Sequence, residues 1–382
     1  MKFPLSICPF YFASVIGAFL LVPFVTMADE NNFAPSINFT YSSDFLRNQS
    51  GGLKTGSAYI DYATLSLSNQ FEFENGVNLR VLGSVLYANG EKFSETIVGD
   101  VQGASGSETG VHIKRIFEAY VDITKGNHSV LIGFFDTNTE FDVIESAGLF
   151  VNSAYGMGNT LGSSGRSGPS TYPFLGLSLR YQYVAEQYTF RTVISDGVPG
   201  DLNNANKLTL DLSSNDGYLN IAEFEYRQAQ TKWLVGLWHY DQSGANGTSP
   251  SDNVGFYMHG ERTFESVSGL TGFARLDTAS SKTNVFNQFY SAGLVKTGFF
   301  ESRSEDQIGI AFAFAELSSK RRVDDPHHNL DKASGELNIE LSYSAKVNDW
   351  LRLQPSLQWI KNPSATNIDS ASIIGLRLTI EL

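Results

Sequence analysis

The sequence has one cysteine, Cys8, and eleven prolines, and only 18% of its 382 residues are charged. Ordinary soluble chains carry about 25% charged residues. A single cysteine excludes an internal disulfide. Past residue 28 no apolar run approaches the roughly 18 residues of a spanning helix, and the mean hydropathy of −0.14 excludes a helical bundle in lipid. Few prolines with 13% aromatics exclude a disordered chain. Basic residues are scarce as well: the net charge is −13, so no basic stripe exists to meet nucleic-acid phosphates. What is present is a glycine- and aromatic-rich chain in which apolar and polar residues interleave.

Residues 1–28 read as a secretory signal peptide. Lys2 supplies the basic start, Phe3 to Val25 is almost wholly apolar, and Thr26-Met27-Ala28 offers small residues before Asp29-Glu30. Cys8 is expected to leave with this segment. Residues 29–382 are then the mature domain.

That domain alternates with period two in segments of about ten residues, the pattern of outer-membrane strands. In 335–346, Leu337, Ile339, Leu341, Tyr343 and Ala345 share one face, opposite Glu336, Asn338, Glu340 and Lys346. Residues 371–382 repeat the pattern, with Arg377 and Glu381 on the polar face. Sixteen such segments are legible: 36–45, 58–68, 76–87, 113–123, 128–136, 173–184, 188–196, 217–227, 232–240, 253–263, 268–277, 288–297, 307–315, 335–346, 349–360 and 371–382. Connections after odd-numbered segments are long, and those after even-numbered segments are short. A soluble sandwich has no reason to sort its loops so. The fold expected is all-β: a sixteen-stranded antiparallel transmembrane barrel with long extracellular loops and short periplasmic turns. Basic residues cost about 2–4 kcal/mol each at the bilayer midplane, so the charged faces should line the lumen.

No catalytic motif is present: no G-x-S-x-G, no H-E-x-x-H and no Walker loop. The chain is therefore read as no enzyme and as needing no cofactor or metal. Asp324-Asp325-Pro326-His327-His328…Asp331 could ligate a cation but reads as a solvated loop tip. His259 near Glu261 reads as a hydrated lumen wall, and Gly156-Met157-Gly158 as loop flexibility. The 137–172 loop is the longest; folded inward it would narrow the pore, and otherwise it would cap the mouth.

Residues 113–156 bear Arg115, Glu118, Gly133, Asp136, Asn138, Phe141, Phe150, Asn152, Ser153 and Gly156 in an R-x-x-E, G-x-x-D-x-N-x-x-F, F-x-N-S-x-x-G order. With Tyr172-Pro173, Asp196 to Gly200, Phe273-Ala274-Arg275 and the terminal segments 353–365 and 371–382, this resembles the carbohydrate-selective porins of the OprB family. The resemblance runs from about residue 110 to the end, and the chain ends on Leu382 where the family usually ends on Phe. It implies facilitated diffusion of mono- or oligosaccharides across the outer membrane of a Gram-negative bacterium. The partners implied are sugars, outer-membrane lipids, lipopolysaccharide and the barrel-assembly machinery. Monomer and homotrimer both fit. A general or ion-selective porin is the alternative on the same fold, and a barrel hydrolase a more distant one.

Within that frame Glu118 should face the lumen, opposite an apolar face of Phe117, Ala119, Val121 and Ile123. Arg115 falls on the apolar side, so it must sit near the interface or follow a bulge that turns it inward. Asp136 and Asn138, at the base of the long loop, would complete an acceptor wall with Glu118. Arg275 or Arg377 would donate to a sugar from across the pore.

Overall fold

The structure, a computed structural model, describes residues 35–201, 204–208, 216–241, 252–318 and 333–382. The signal segment 1–28 and the Asp324–Asp331 run lie outside them. Sixteen antiparallel strands close into one barrel, each hydrogen-bonded to its neighbours in sequence. They are β1 (Ser36–Ser50), β2 (Gly56–Glu72), β3 (Val77–Ala88), β4 (Ile113–Lys125), β5 (His128–Phe134), β6 (Leu177–Ala185), β7 (Tyr188–Asp196) and β8 (Tyr218–Gln228). The second half is β9 (Thr231–Asp241), β10 (Asn253–Phe264), β11 (Leu270–Ala279), β12 (Phe286–Thr297), β13 (Gln307–Leu317), β14 (Gly335–Asn348), β15 (Leu351–Lys361) and β16 (Ala371–Glu381). β1 and β16 close the ring, and Phe39 and Leu382 exchange N–H···O bonds of 3.0 and 2.9 Å. All sixteen expected segments are strands.

Alternation sorts the faces as the charge argument requires. On β14, Glu336, Asn338 and Glu340 are fully buried inside while Leu341 is exposed outside. Ile132, Leu179, Leu237, Ile310, Leu357 and Leu376 likewise face outward, the apolar belt that lipid would cover. Tyr188, Tyr226, Trp233, Phe264 and Trp350 lie near the short-turn end, forming an aromatic girdle.

Four local expectations are corrected. Loop lengths do not sort cleanly: residues 51–55 and 280–285 are shorter connections than 298–306. β1 runs to Ser50 because Gly51 and Gly52 adopt φ near 67° and Asn48 Nδ2 donates to the Gly51 and Lys54 carbonyls, closing a tight hairpin. β6 starts at Leu177, since Pro173 has no N–H for the ladder and Thr171 bridges Phe174 instead. The fourth lies on β4, where the pairing jumps from Gly83↔Ala119 to Val85↔Ile116. That bulge reverses the faces: Phe117 turns inward, against the expected apolar face, while Arg115 follows the inward-turning alternative and is buried with its guanidinium over the Phe174 ring.

Candidate functional site

Long loops leave backbone N–H and C=O groups that must find partners once buried. Residues 135–176 fold into the lumen, and the acids of the strand wall supply those partners. Glu340 accepts from Val151 N (2.6 Å) and Asn152 N (2.9 Å). Glu261 accepts from Glu145 N (3.1 Å) and Ser146 N (3.0 Å), and Glu223 from Asp142 N (2.8 Å). Tyr155 donates to Asn338 Oδ1 at 2.8 Å. A second loop, 89–112, is held the same way: Glu336 accepts from Val101 N and Gln102 N at 3.0 and 3.1 Å. The two loops also bond to each other, through Gly106 N to Val151 O (2.9 Å) and Ser153 N to Gly103 O (2.9 Å).

Cations complete the anchoring. Lys232 Nζ donates to Val143 O at 2.9 Å, and Arg180 Nε meets Glu140 at 2.7 Å. Glu145 takes Arg227 at 2.6 Å, which holds its carboxyl below the ordinary range. Asp142 is fully buried; burial raises its carboxyl above the ordinary range even though Arg275 lies beside it. Gly158 approaches the wall so closely that a Cβ there would fall 1.8 Å from Asp277 Oδ2. Gly158, and Gly165 against Tyr240, therefore serve close packing, where flexibility was expected of Gly158.

Between the folded loops and the β1–β4 and β16 wall lies a cavity of about 670 Å³. Tyr62, Phe117 and Tyr172 bring aromatic faces to it. The Tyr172 ring centroid lies 5.5 Å from that of Tyr62 and 6.0 Å from that of Phe117. Arg377 enters from β16. Its Nε and Nη2 grip Asp44 at 2.6 and 2.7 Å, and Nη2 also reaches Ser107 Oγ at 3.0 Å. Its Nη1 has no bond among the described residues and is left as a donor at the cavity wall.

The five residues singled out from sequence divide here. Asp136, Asn138 and Arg377 line this one cavity; Glu118 and Arg275 do not. Asp136 is engaged in folding the loop, accepting from Asn138 N (2.9 Å), Thr171 Oγ1 (2.8 Å) and Tyr172 N (3.1 Å). Asn138 Nδ2 donates to Phe141 O at 3.2 Å, leaving its Oδ1 beside Gly156. The Glu118 backbone N–H is held by Ser84 Oγ at the bulge, at 2.9 Å.

Arg275 is buried beneath the loop and donates to Gly156 O (2.8 Å) and Asp142 O (2.7 Å). It is an anchor rather than a donor facing the pore. His259 is likewise buried, 3.5 Å from Asp142, and is no hydrated wall. Sequence reading missed Tyr62, Phe117, Tyr172, Asp44 and Ser107. Asp44, Tyr62 and Ser107 precede the region of resemblance, and Phe117 was hidden by the bulge.

A closed sixteen-stranded barrel with an apolar exterior and loops folded into its lumen defines the class: a porin. The model of the carbohydrate-selective porin, OprB family, matches residues 63–382, and the chain belongs to that family. Porin B of Pseudomonas aeruginosa is 30% identical over 124 residues, which is 29% of this chain and 27% of that protein. The chain thus aligns with about a quarter of that relative's length. Among solved structures, a high-pH structure of Pseudomonas putida OprB superposes with a TM-score of 0.75 at 17% identity, over 91% of this chain and 94% of that one. A mutant Rhodopseudomonas blastica porin gives 0.58 at 9% identity, over 91% and 100%.

Proposed function

We propose that the chain is an outer-membrane channel that passes mono- or oligosaccharides by facilitated diffusion, through the cavity bounded by Arg377, Asn138 and the Tyr62–Phe117–Tyr172 group. One observation carries this reading: that cavity combines flat apolar faces with fixed hydrogen-bonding groups. A sugar has apolar ring faces and a rim of hydroxyls, so it needs both kinds of surface when it sheds water. Arg377 Nη1 donates to a hydroxyl oxygen, and Asn138 Oδ1 accepts a hydroxyl proton. Asp44 and Ser107 fix the guanidinium, so the donor is presented without further ordering cost. Passage requires that binding at this cavity stay weak enough for release on the far side.

Residues 1–28 are proposed to direct export and then be removed. Lipopolysaccharide and phospholipid would cover the apolar belt, and the barrel-assembly machinery would insert it. Liposome swelling with a panel of sugars, alongside ion conductance with and without those sugars, tests the reading. Selective sugar entry with sugar-dependent block of current is expected. Swelling that depends on solute size alone, with no block, would instead indicate a general porin.

A further inference from the structure

Outside the barrel, the strand register brings small residues together on the lipid-facing side. Trp233, Gly260, Ala274, Ala292 and Phe312 follow one another across β9 to β13, and one step nearer the short turns Arg262, Gly272 and Leu294 do the same. The result is a trough of about 690 Å³, running over Ala274 and Ala292 between larger side chains. Trp233 lies across Gly260, where a Cβ would meet its ring at 2.5 Å, and Phe264 and Leu294 lean over Gly272. Its lining is apolar apart from Glu261 and Arg262.

Two cations flank its short-turn end. Arg262 is exposed on this outer face, and its guanidinium has no hydrogen bond or ion pair among the described residues. Lys296 faces the same way two strands over; its Nζ meets only backbone carbonyls, of Ser268 and of Thr297 (3.1 Å). A cation on a lipid face is tolerated where an anionic headgroup meets it, and basic sites beside apolar grooves hold lipid phosphates.

We propose that this trough is a binding site for one glycerophospholipid of the periplasmic leaflet, an acyl chain lying over Ala274 and Ala292 and the phosphate held by Arg262 with Lys296 beside it. The inference rests on the reading of the barrel as membrane-spanning. The short turns put the two cations at the periplasmic interface, where the headgroups are phospholipid and not lipopolysaccharide. A two-fold-related copy packing through the same face would bring Arg262 and Lys296 against their own counterparts, like charge on like charge. Charge complementarity therefore favours the phosphate.

The test is native mass spectrometry of the detergent-solubilised barrel titrated with palmitoyl-oleoyl phosphatidylglycerol. It compares the wild type with Arg262→Gln, Ala292→Leu and Arg47→Gln, a lipid-facing arginine at the other end of the barrel. One retained lipid per barrel is expected for the wild type and for Arg47→Gln, with retention about tenfold weaker in Arg262→Gln and reduced in Ala292→Leu. Equal retention in all four proteins would overturn the site, leaving only unspecific annular lipid. A change in oligomeric mass rather than lipid content in Arg262→Gln would overturn it in favour of a protein interface. Insertion of the wild type into liposomes, measured in parallel as conductance, reports on the membrane-spanning reading separately. Arg262→Gln, outside the lumen, should leave that conductance unchanged.

Discussion

Glu340 offers the sharpest test of how the pore is narrowed. Its carboxylate is fully buried and accepts from Val151 N, Asn152 N and Ser342 Oγ, so it ties the tip of the long loop to the wall of β14. A hydrogen bond to a charged group contributes about 1.5–3 kcal/mol net. Losing the two backbone bonds in Glu340→Ala should cost about 3–6 kcal/mol of docking at residues 150–153. At about 1.4 kcal/mol per factor of ten, that is a hundredfold or greater rise in local opening. Glu340→Gln keeps one acceptor oxygen and should lose about half as much.

The remaining anchors, Tyr155 to Asn338 and Arg275 to Gly156, confine the opening to this segment. Hydrogen exchange at the Val151 and Asn152 amides and single-channel current are the assays. Protection should fall in the order wild type, Gln, Ala; current should rise and become noisier, and sugar block should weaken. If the alanine variant folds with unchanged protection and current, the carboxylate does not hold the loop and the account of the anchors is wrong.

Arg377→Gln should weaken sugar block by about tenfold, the loss of one charge-assisted bond. Arg377→Lys should fail to restore it, because an ammonium cannot grip Asp44 with a planar fork; full block in the lysine variant would count against this role. Leu341→Arg, on the lipid face, should destabilise the barrel by about 2–4 kcal/mol if near midplane. Thr64→Arg, at the cavity wall, should fold and lower current, and urea titration of both in lipid decides. Burial pushes the Glu108 carboxyl up to about 7 and Asp100 up to about 6. The docked 89–112 loop thus binds more protons than the undocked one. Its docking is strongest below the ordinary carboxylate range and weakens as pH rises toward 7. Amide protection at Ser94–Val98, corrected for intrinsic exchange, should decline across that window, and Glu108→Gln with Asp100→Asn should flatten the slope. An unchanged slope would exclude these two acids as its source.

The strands were legible because lipid outside and polar groups inside impose period two on every segment, and the charge cost fixes which face is which. What defeated the pattern was local. The bulge opposite Ser84 adds one residue to β4, which sends Phe117 inward and Arg115 with it. Period-two reading has no means of placing such an insertion; the only hint was Arg115 itself, a cation stranded on an apolar face. Hairpin ends such as Asn48–Gly52 were misjudged because side chain-to-backbone bonds, rather than alternation, set them.

The site was less legible for a different physical reason. Sequence alternation shows that Glu223, Glu261, Arg275, Glu336 and Glu340 face inward, but not what they meet there. Lumen-facing charge was read as a surface for sugar hydroxyls. The carboxylates of Glu223, Glu261, Glu336 and Glu340 and the guanidinium of Arg275 instead answer the unpaired N–H and C=O groups of the chain's own loops. At Arg377 and Asn138, beside the aromatic rings, polar capacity is left over for a guest. Charged residues on the inner face of such a barrel thus divide into those spent on folding the constriction and those exposed by it. The division follows from the hydrogen-bond partners of the loops, and so Arg275 and Arg377, alike in sequence pattern, have different work.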